Sequence, residues 1–487
     1  MTEDIAFASV RDLSRLLQSG ELSPVELLQI YLDRADELDV PDYELPSEPR
    51  PDHGGKLATM ITIAREKGLR QAEAAEREIT AGEIRGPLHG IPYGVKDILD
   101  TASVRTTWGS PLFMDRVPER DATVVTKLEE AGAVLMAKMS MGEFAGGNTS
   151  NALNPWKLDR TTFGSSSGTV TAAIAGLIGF GIGTETGGSI VFPASAVGAT
   201  GLRPTFGRVS RFGCMALSWS LDKIGPGCRT ADDCGLVLEA IAGHDPKDNS
   251  TRRDEFRFEP RPERARELRI GISRAELDML RAPTNREVFS TALDAMTELS
   301  AGAEDVVLPN GPIGAVFSVI VGTEGGASFK HLFEDRSVLN MFEYNRTRRA
   351  GWKAASIAPA EDYLLAQRVR QDLTRKLDAL FEKVDVLIAP TWPSGAALRE
   401  VEDGWPVPAH PDLEPVEDEP VPRLNYLANL GGLPGIAVPC GFDDDGVPLS
   451  LQLVGKAWDE AAILDLALAY QSVTDWHQRR PPVPYRV

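Results

Sequence analysis

The sequence predicts an α/β fold around one sheet, on three observations. Amphipathic helical segments alternate with short apolar strand candidates along the chain. No stretch marks a clean linker between domains, and no internal repeat is visible. The composition, 42% hydrophobic and 25% charged, is ordinary for a globular protein, and 487 residues allow one large core. Residues 1–487 therefore read as a single domain, helical at first, over about 1–85.

Two helices open the chain. The second is marked by Ser23-Pro24-Val25-Glu26, a capping box with proline at the first helical position, ahead of LLQIYLDRADEL. Val40 to Gly55 is rich in Pro, Asp and Gly and reads as a surface loop. A charged helix is expected from Ile63 to Ala81. Gly90 to Val95 reads as a short buried strand ending at Lys96. Asp121 opens a helix over TVVTKLEEAG, and Val134 to Ala137 follows as a strand. Thr230 and Asp233 cap a helix running to Ala242. Further strands are expected near Arg269–Ile272, Val384–Ala389, Gly435–Pro439 and Leu449–Val454. Residues 403–420 are acidic and Pro-rich and read as an exposed loop or lid.

Composition narrows the function classes. A net charge of −20 with no basic stripe argues against binding nucleic acid. The four cysteines, Cys214, Cys228, Cys234 and Cys440, form no C-x-x-C pair, which disfavours zinc and thioredoxin-like chemistry. Scattered thiols behind an N-terminus without a leader pattern (MTEDIAFASVRDL) fit a cytoplasmic protein. The longest apolar run, Val170 to Gly183, is too short and too glycine-rich to span a bilayer. No metal or other cofactor is expected.

The chemistry concentrates between Phe163 and Ser189, FGSSSGTVTAAIAGLIGFGIGTETGGS. Ser165 and Ser189 each sit among small residues, which let backbone N–H groups converge on one point. Gly164 to Gly168 matches G-x-S-x-G, the nucleophile elbow, with Ser166 at its centre. That motif needs a strand before it, yet Asn154 to Thr162 is a poor strand. It also needs a histidine, and none of the six histidines has a context that singles it out. A Ser/Gly-rich loop opening a helix is the plainer reading of the run alone.

Three separated pieces agree in order and spacing: Gly94-Val95-Lys96-Asp97, the Ser165 run, and Gly183-Thr184-Glu185-Thr186-Gly187-Gly188-Ser189. Together they resemble the amidase signature family of serine hydrolases. The resemblance is dense over about 86–242, runs through Gly198–Pro226, and returns at Asn429–Gly455. Ser165 and Ser189 stand 24 residues apart (165 to 189), as the family's two catalytic serines would.

The resemblance implies a mixed, twisted sheet covered by helices on both faces. It also implies a triad: Ser189 as nucleophile, Ser165 on a cis peptide as proton relay, and Lys96 as base. A lysine accepts a proton only when neutral, and burial lowers its pKa toward that state. The backbone of Thr186, Gly187, Gly188 and Ser189 would form the oxyanion hole. Gly188→Val is expected to damage that turn. Ser166 and Ser167 read as structural, Thr184 and Glu185 as orienting the loop. Glu185 stands where the family more often has Asp, and Phe163 and Ser167 where glycine is common. Arg203 in Arg203-Pro204-Thr205 reads as scaffold.

The acyl pocket is less legible. Phe144, Gly146, Gly147, Phe192 and Trp392, with Met215 and Trp219 nearby, are its candidate lining, and core packing explains the aromatics equally well. They point to an apolar or aromatic acyl group in a small amide, anilide or carbamate. The expected enzyme is a free-standing monomeric or homodimeric amidase. One rival is the glutaminase subunit of a glutamine-dependent tRNA amidotransferase. That subunit would carry an aspartate where Pro422 stands here, and an arginine for which Arg346, Arg348 and Arg349 are candidates. A non-catalytic amidase-like binding protein is the third reading, against which the intact Lys96, Ser165 and Ser189 stand.

Overall fold

The computed structural model describes residues 2–39, 55–146, 150–278, 280–342, 346–399, 401–402, 405–406 and 422–482. Eleven strands form one mixed sheet. They are β1 (Met60–Ile63), β2 (Pro92–Lys96), β3 (Val134–Met139), β4 (Phe180–Glu185), β5 (Thr200–Arg203), β6 (Lys223–Cys228), β7 (Ile270–Ser273), β8 (Ala303–Val306), β9 (Val386–Pro390), β10 (Gly435–Phe442) and β11 (Pro448–Gly455). Their spatial order is β1-β3-β2-β4-β6-β5-β10-β11-β9-β7-β8. β3, β2 and β4 are parallel, as are β8, β7 and β9. The other neighbours are antiparallel.

Every residue of β2 through β7, and of β9 and β11, is buried. Strand side chains alternate between faces, so burial of all of them means both faces are covered. β8 is the exposed edge, and its Glu304 and Asp305 discourage another chain from pairing there.

Most expected elements appear with small shifts. On the helix Pro24–Leu38 both halves of the capping box form, between Ser23 and Glu26. Such a cap contributes about 1 kcal/mol. Thr230 Oγ1 accepts the Asp233 N–H at 3.0 Å ahead of the helix Ala231–Ile241. The charged helix runs Arg65–Thr80. The helix expected from Asp121 starts only at Thr123. The Asp121 carboxylate instead accepts the Ala102 N–H at 2.7 Å and lies 3.5 Å from Lys67. Of the expected Val40–Gly55 loop only Gly55 is described. The 403–420 segment also lies outside the described residues, apart from Trp405–Pro406, which pairs with Val401–Glu402. Among the described residues no helix is long and apolar enough to cross a membrane.

One part of the sheet decides where the chemistry sits. Gly181, Gly183 and Gly227 leave bare backbone in the middle of β4 and β6. A Cβ at Gly227 would lie 2.7 Å from Val170 Cγ1, and one at Gly183 would lie 2.9 Å from Ser166 Oγ. Glycine here lets the helix Ser167–Ile174, buried on every side, rest directly on the sheet. That close approach brings the loop before the helix down to the end of β2.

Candidate active site

Three segments converge there: Lys96 at the end of β2, Gly164–Ser166 before the helix, and the turn after β4. Lys96 is wholly buried. Its Nζ lies 2.8 Å from Ser165 Oγ, 2.8 Å from Thr184 Oγ1 and 3.0 Å from Ser166 Oγ. Burial brings this amine down to about 7, against the opposing pull of Cys214, Asp222 and Glu185. A neutral amine keeps a lone pair, so it can take a proton from a hydroxyl within hydrogen-bond distance. The Gly164–Ser165 peptide is cis.

Ser166 is not on a nucleophile elbow. The residues before it carry no strand beyond an isolated bridge at Arg160. Its hydroxyl is also engaged: it donates to Thr184 O at 3.0 Å and accepts the Thr184 N–H at 3.2 Å. Ser166 thus pins the loop to β4, as a structural serine would.

Ser189 is half-buried, and its carbonyl accepts the Ser166 N–H at 3.0 Å. Among the described residues its Oγ makes no hydrogen bond to Ser165, a bond that often tightens only when substrate arrives. Glu185 Oε2 takes the N–H groups of Ile190 and Val191 at 2.8 and 3.0 Å. The N–H groups of Thr186, Gly187, Gly188 and Ser189 are left without a protein acceptor among the described residues. Four consecutive free donors suit a developing oxyanion. Gly188 has a φ of +130°, and a Cβ there would strike the Phe192 ring. A Cβ at Gly187 would strike the Phe317 ring.

The partner of Glu185 is Arg203. Glu185 Oε1 accepts from Arg203 Nη1 at 2.6 Å and from Asn429 Nδ2 at 3.0 Å. Burial alone would raise the Glu185 pKa, but Arg203 and Lys223 outweigh it and hold the carboxyl below its ordinary value. Arg203 also donates from Nε to Leu433 O at 3.0 Å. Arg203→Met strands a buried carboxylate, and breaking such a pair costs about 3–5 kcal/mol. Chemical denaturation should show that loss, and an unchanged midpoint would dismiss the pair as a support of the turn. On the other side of the turn, Thr186 Oγ1 donates to Asp222 Oδ1 at 2.6 Å.

The candidate pocket residues divide into separate groups. Phe192 and Phe163 flank Trp392, with ring centroids 5.2 and 5.0 Å away. Phe317 and Tyr426 pair at 4.9 Å over Gly187. The Phe144 ring lies instead in a buried cluster with Phe113, Phe329 and Trp352. Its carbonyl accepts from Arg348 Nη2 at 2.9 Å, and Arg348 lies against Gly146. Burial brings Arg348 down to about 10. Met215 is buried, whereas Trp219 is mostly exposed beneath Arg211. Gly147 lies outside the described residues. Sequence reasoning missed Asp222, Phe317, Asn425, Tyr426 and Asn429. The local signals near them were the Gly198–Pro226 stretch, which contains Asp222, and the Asn429–Gly455 stretch, which begins at Asn429.

The amidase family model matches residues 54–464. The chain is 37% identical to the A subunit of glutamyl-tRNA(Gln) amidotransferase from Roseiflexus sp. (strain RS-1), over 98% of each chain. It is 35% identical to the corresponding protein of Moorella thermoacetica, over 98% of this chain and 99% of that one. Among solved structures, the native peptide amidase from Stenotrophomonas maltophilia superposes with a TM-score of 0.78 at 29% identity, over 98% of each chain. With the family's sheet, its ordered motifs and this full-length similarity together, the chain belongs to the amidase signature family, whose members act on amide bonds.

Proposed function

We propose that the chain hydrolyses an amide bond through an acyl-enzyme on Ser189. What carries this is the buried amine of Lys96, held near 7 and 2.8 Å from Ser165 Oγ. Neutral Lys96 takes the proton of Ser165 as Ser165 takes that of Ser189. Ser189 Oγ then bonds to the substrate carbonyl carbon, and the C=O electron pair moves onto oxygen. N–H groups from the Thr186–Ser189 turn hold that oxyanion, and one such donor is worth about 3–4 kcal/mol. On collapse the C–N bond breaks, and the relay runs backward to protonate the leaving nitrogen. Water, deprotonated by the same relay, releases the acid.

For the substrate, the aromatic pairs Phe192–Trp392 and Phe317–Tyr426 favour an apolar or aryl group in an amide, anilide or carbamate. A free-standing amidase suits such a site. The second reading, the glutaminase of an amidotransferase, is favoured by the names of the similar amidotransferase proteins. It would bring partner subunits and revise the expectation of a monomer or homodimer acting alone on a small molecule. Against it, proline stands at 422, where the resemblance implies an aspartate in that subunit, and the uncharged rings of Phe317 and Tyr426 pair beside Gly187.

One screen tests both. The purified chain is assayed alone on amide, anilide, carbamate and glutamine panels, then with added amidotransferase partner subunits. Anilide or carbamate turnover by the chain alone is the expected result. Glutamine turnover only with the partners would establish the second reading instead. No acyl-enzyme on any panel would leave a binding protein.

A further inference from the structure

Asn425 is wholly buried on the helix Arg423–Gly431, and its Nδ2 donates to the Gly187 carbonyl at 3.0 Å. Three donors converge on its Oδ1: Arg203 Nη1 and Gln452 Nε2 at 3.0 Å, and Asn429 Nδ2 at 3.2 Å. Only an oxygen can accept from all three, so the amide has one orientation and its nitrogen is directed at Gly187. The Gly187–Gly188 peptide is trans, and in a planar trans peptide C=O and N–H point in opposite directions. Holding the Gly187 carbonyl against Asn425 therefore turns the Gly188 N–H away from that helix, where it has no protein acceptor among the described residues. Glycine on both sides leaves this peptide plane little steric resistance to rotation. We propose that Asn425 is a positioning residue that fixes the oxyanion-hole peptide through the Gly187 carbonyl, which rests on the hydrolase proposed above.

Asn425→Asp tests it. Aspartate keeps the shape and draws Arg203 more strongly, but it sets an acceptor, not a donor, against Gly187 O. A support for Arg203 alone would survive that change. With the best substrate of the screen, kcat is expected to fall about 30-fold or more, since one lost oxyanion donor costs about 100–1,000-fold. KM should stay within about threefold, and affinity for an arylboronic acid, a tetrahedral mimic, should fall in step with kcat. If Asn425→Asp does not fold, Asn425→Ser, too short to reach Gly187, replaces it with the same expectations. Wild-type kcat, or a loss confined to KM, overturns the role of Asn425. Ser189→Ala is measured alongside: its inactivity leaves the hydrolase proposal standing whatever Asn425 shows, and its activity removes that proposal.

Discussion

Ser189→Ala is expected to lower kcat by about five orders of magnitude, the scale on which a serine hydrolase loses its nucleophile. The substitution removes a half-buried hydroxyl with no hydrogen bond to Ser165, and the loop contact of this residue runs through its backbone carbonyl. Folding should therefore be unaffected, and thermal unfolding checks this. A fluorophosphonate followed by peptide mass mapping gives an independent readout. In the wild type it should modify Ser189, and in the variant nothing. Modification of Ser166 would restore the nucleophile-elbow interpretation. Turnover surviving in the variant would show that another group attacks the carbonyl.

Lys96→Met should cost about 10⁴-fold in kcat, because it removes the proposed base from a unit whose members would act together. The wild-type pH profile carries the same information. Only the neutral amine accepts a proton, and burial sets it at about 7, so kcat/KM should rise through pH 7 and level off above it. A profile flat from pH 5 to 9 would remove Lys96 as the base. Stability must follow with a definite sign. Between about 7 and the ordinary lysine value of 10.5, the unfolded chain binds a proton that the folded chain does not. Stability due to this group therefore increases with pH across that window. Wild type minus Lys96→Met isolates it from Lys223 and Lys138, which burial also lowers, to about 7 and about 8. A difference that declines with pH in that range would mean the amine stays charged in the fold.

What could be read from the sequence was local. The capping box at Ser23, the strand ending at Lys96, and the two serine motifs each depend on neighbours within a few residues. Their ordered spacing then sufficed to bring Lys96, Ser165 and Ser189 into view. The anchors of the site depend instead on which strands lie side by side. Asn425 meets Gly187 across 238 residues, and Asn429 meets Glu185 across 244. Nothing in a linear pattern announces that β5 pairs with β10 and so delivers Arg203 to both. The aromatics were ambiguous for a related reason. Phe144 and Phe192 have the same composition signal, and only the packing separates a core ring from one beside the glycine turn.

The proposed reacting groups all lie between residues 96 and 189, while Asn425 and Asn429, which bond to Gly187 and Glu185, and Gln452, which bonds to Asn425, come from the last stretch of chain. During synthesis the serines and the lysine leave the ribosome long before their anchors. A nascent or proteolysed fragment ending before residue 425 thus carries Lys96, Ser165 and Ser189 without the Asn425 contact to the turn. On the mechanism proposed, hydrolysis requires the C-terminal strands to be docked. The same division is a place to split the chain, and the two halves are expected to be inactive apart and active once reassociated.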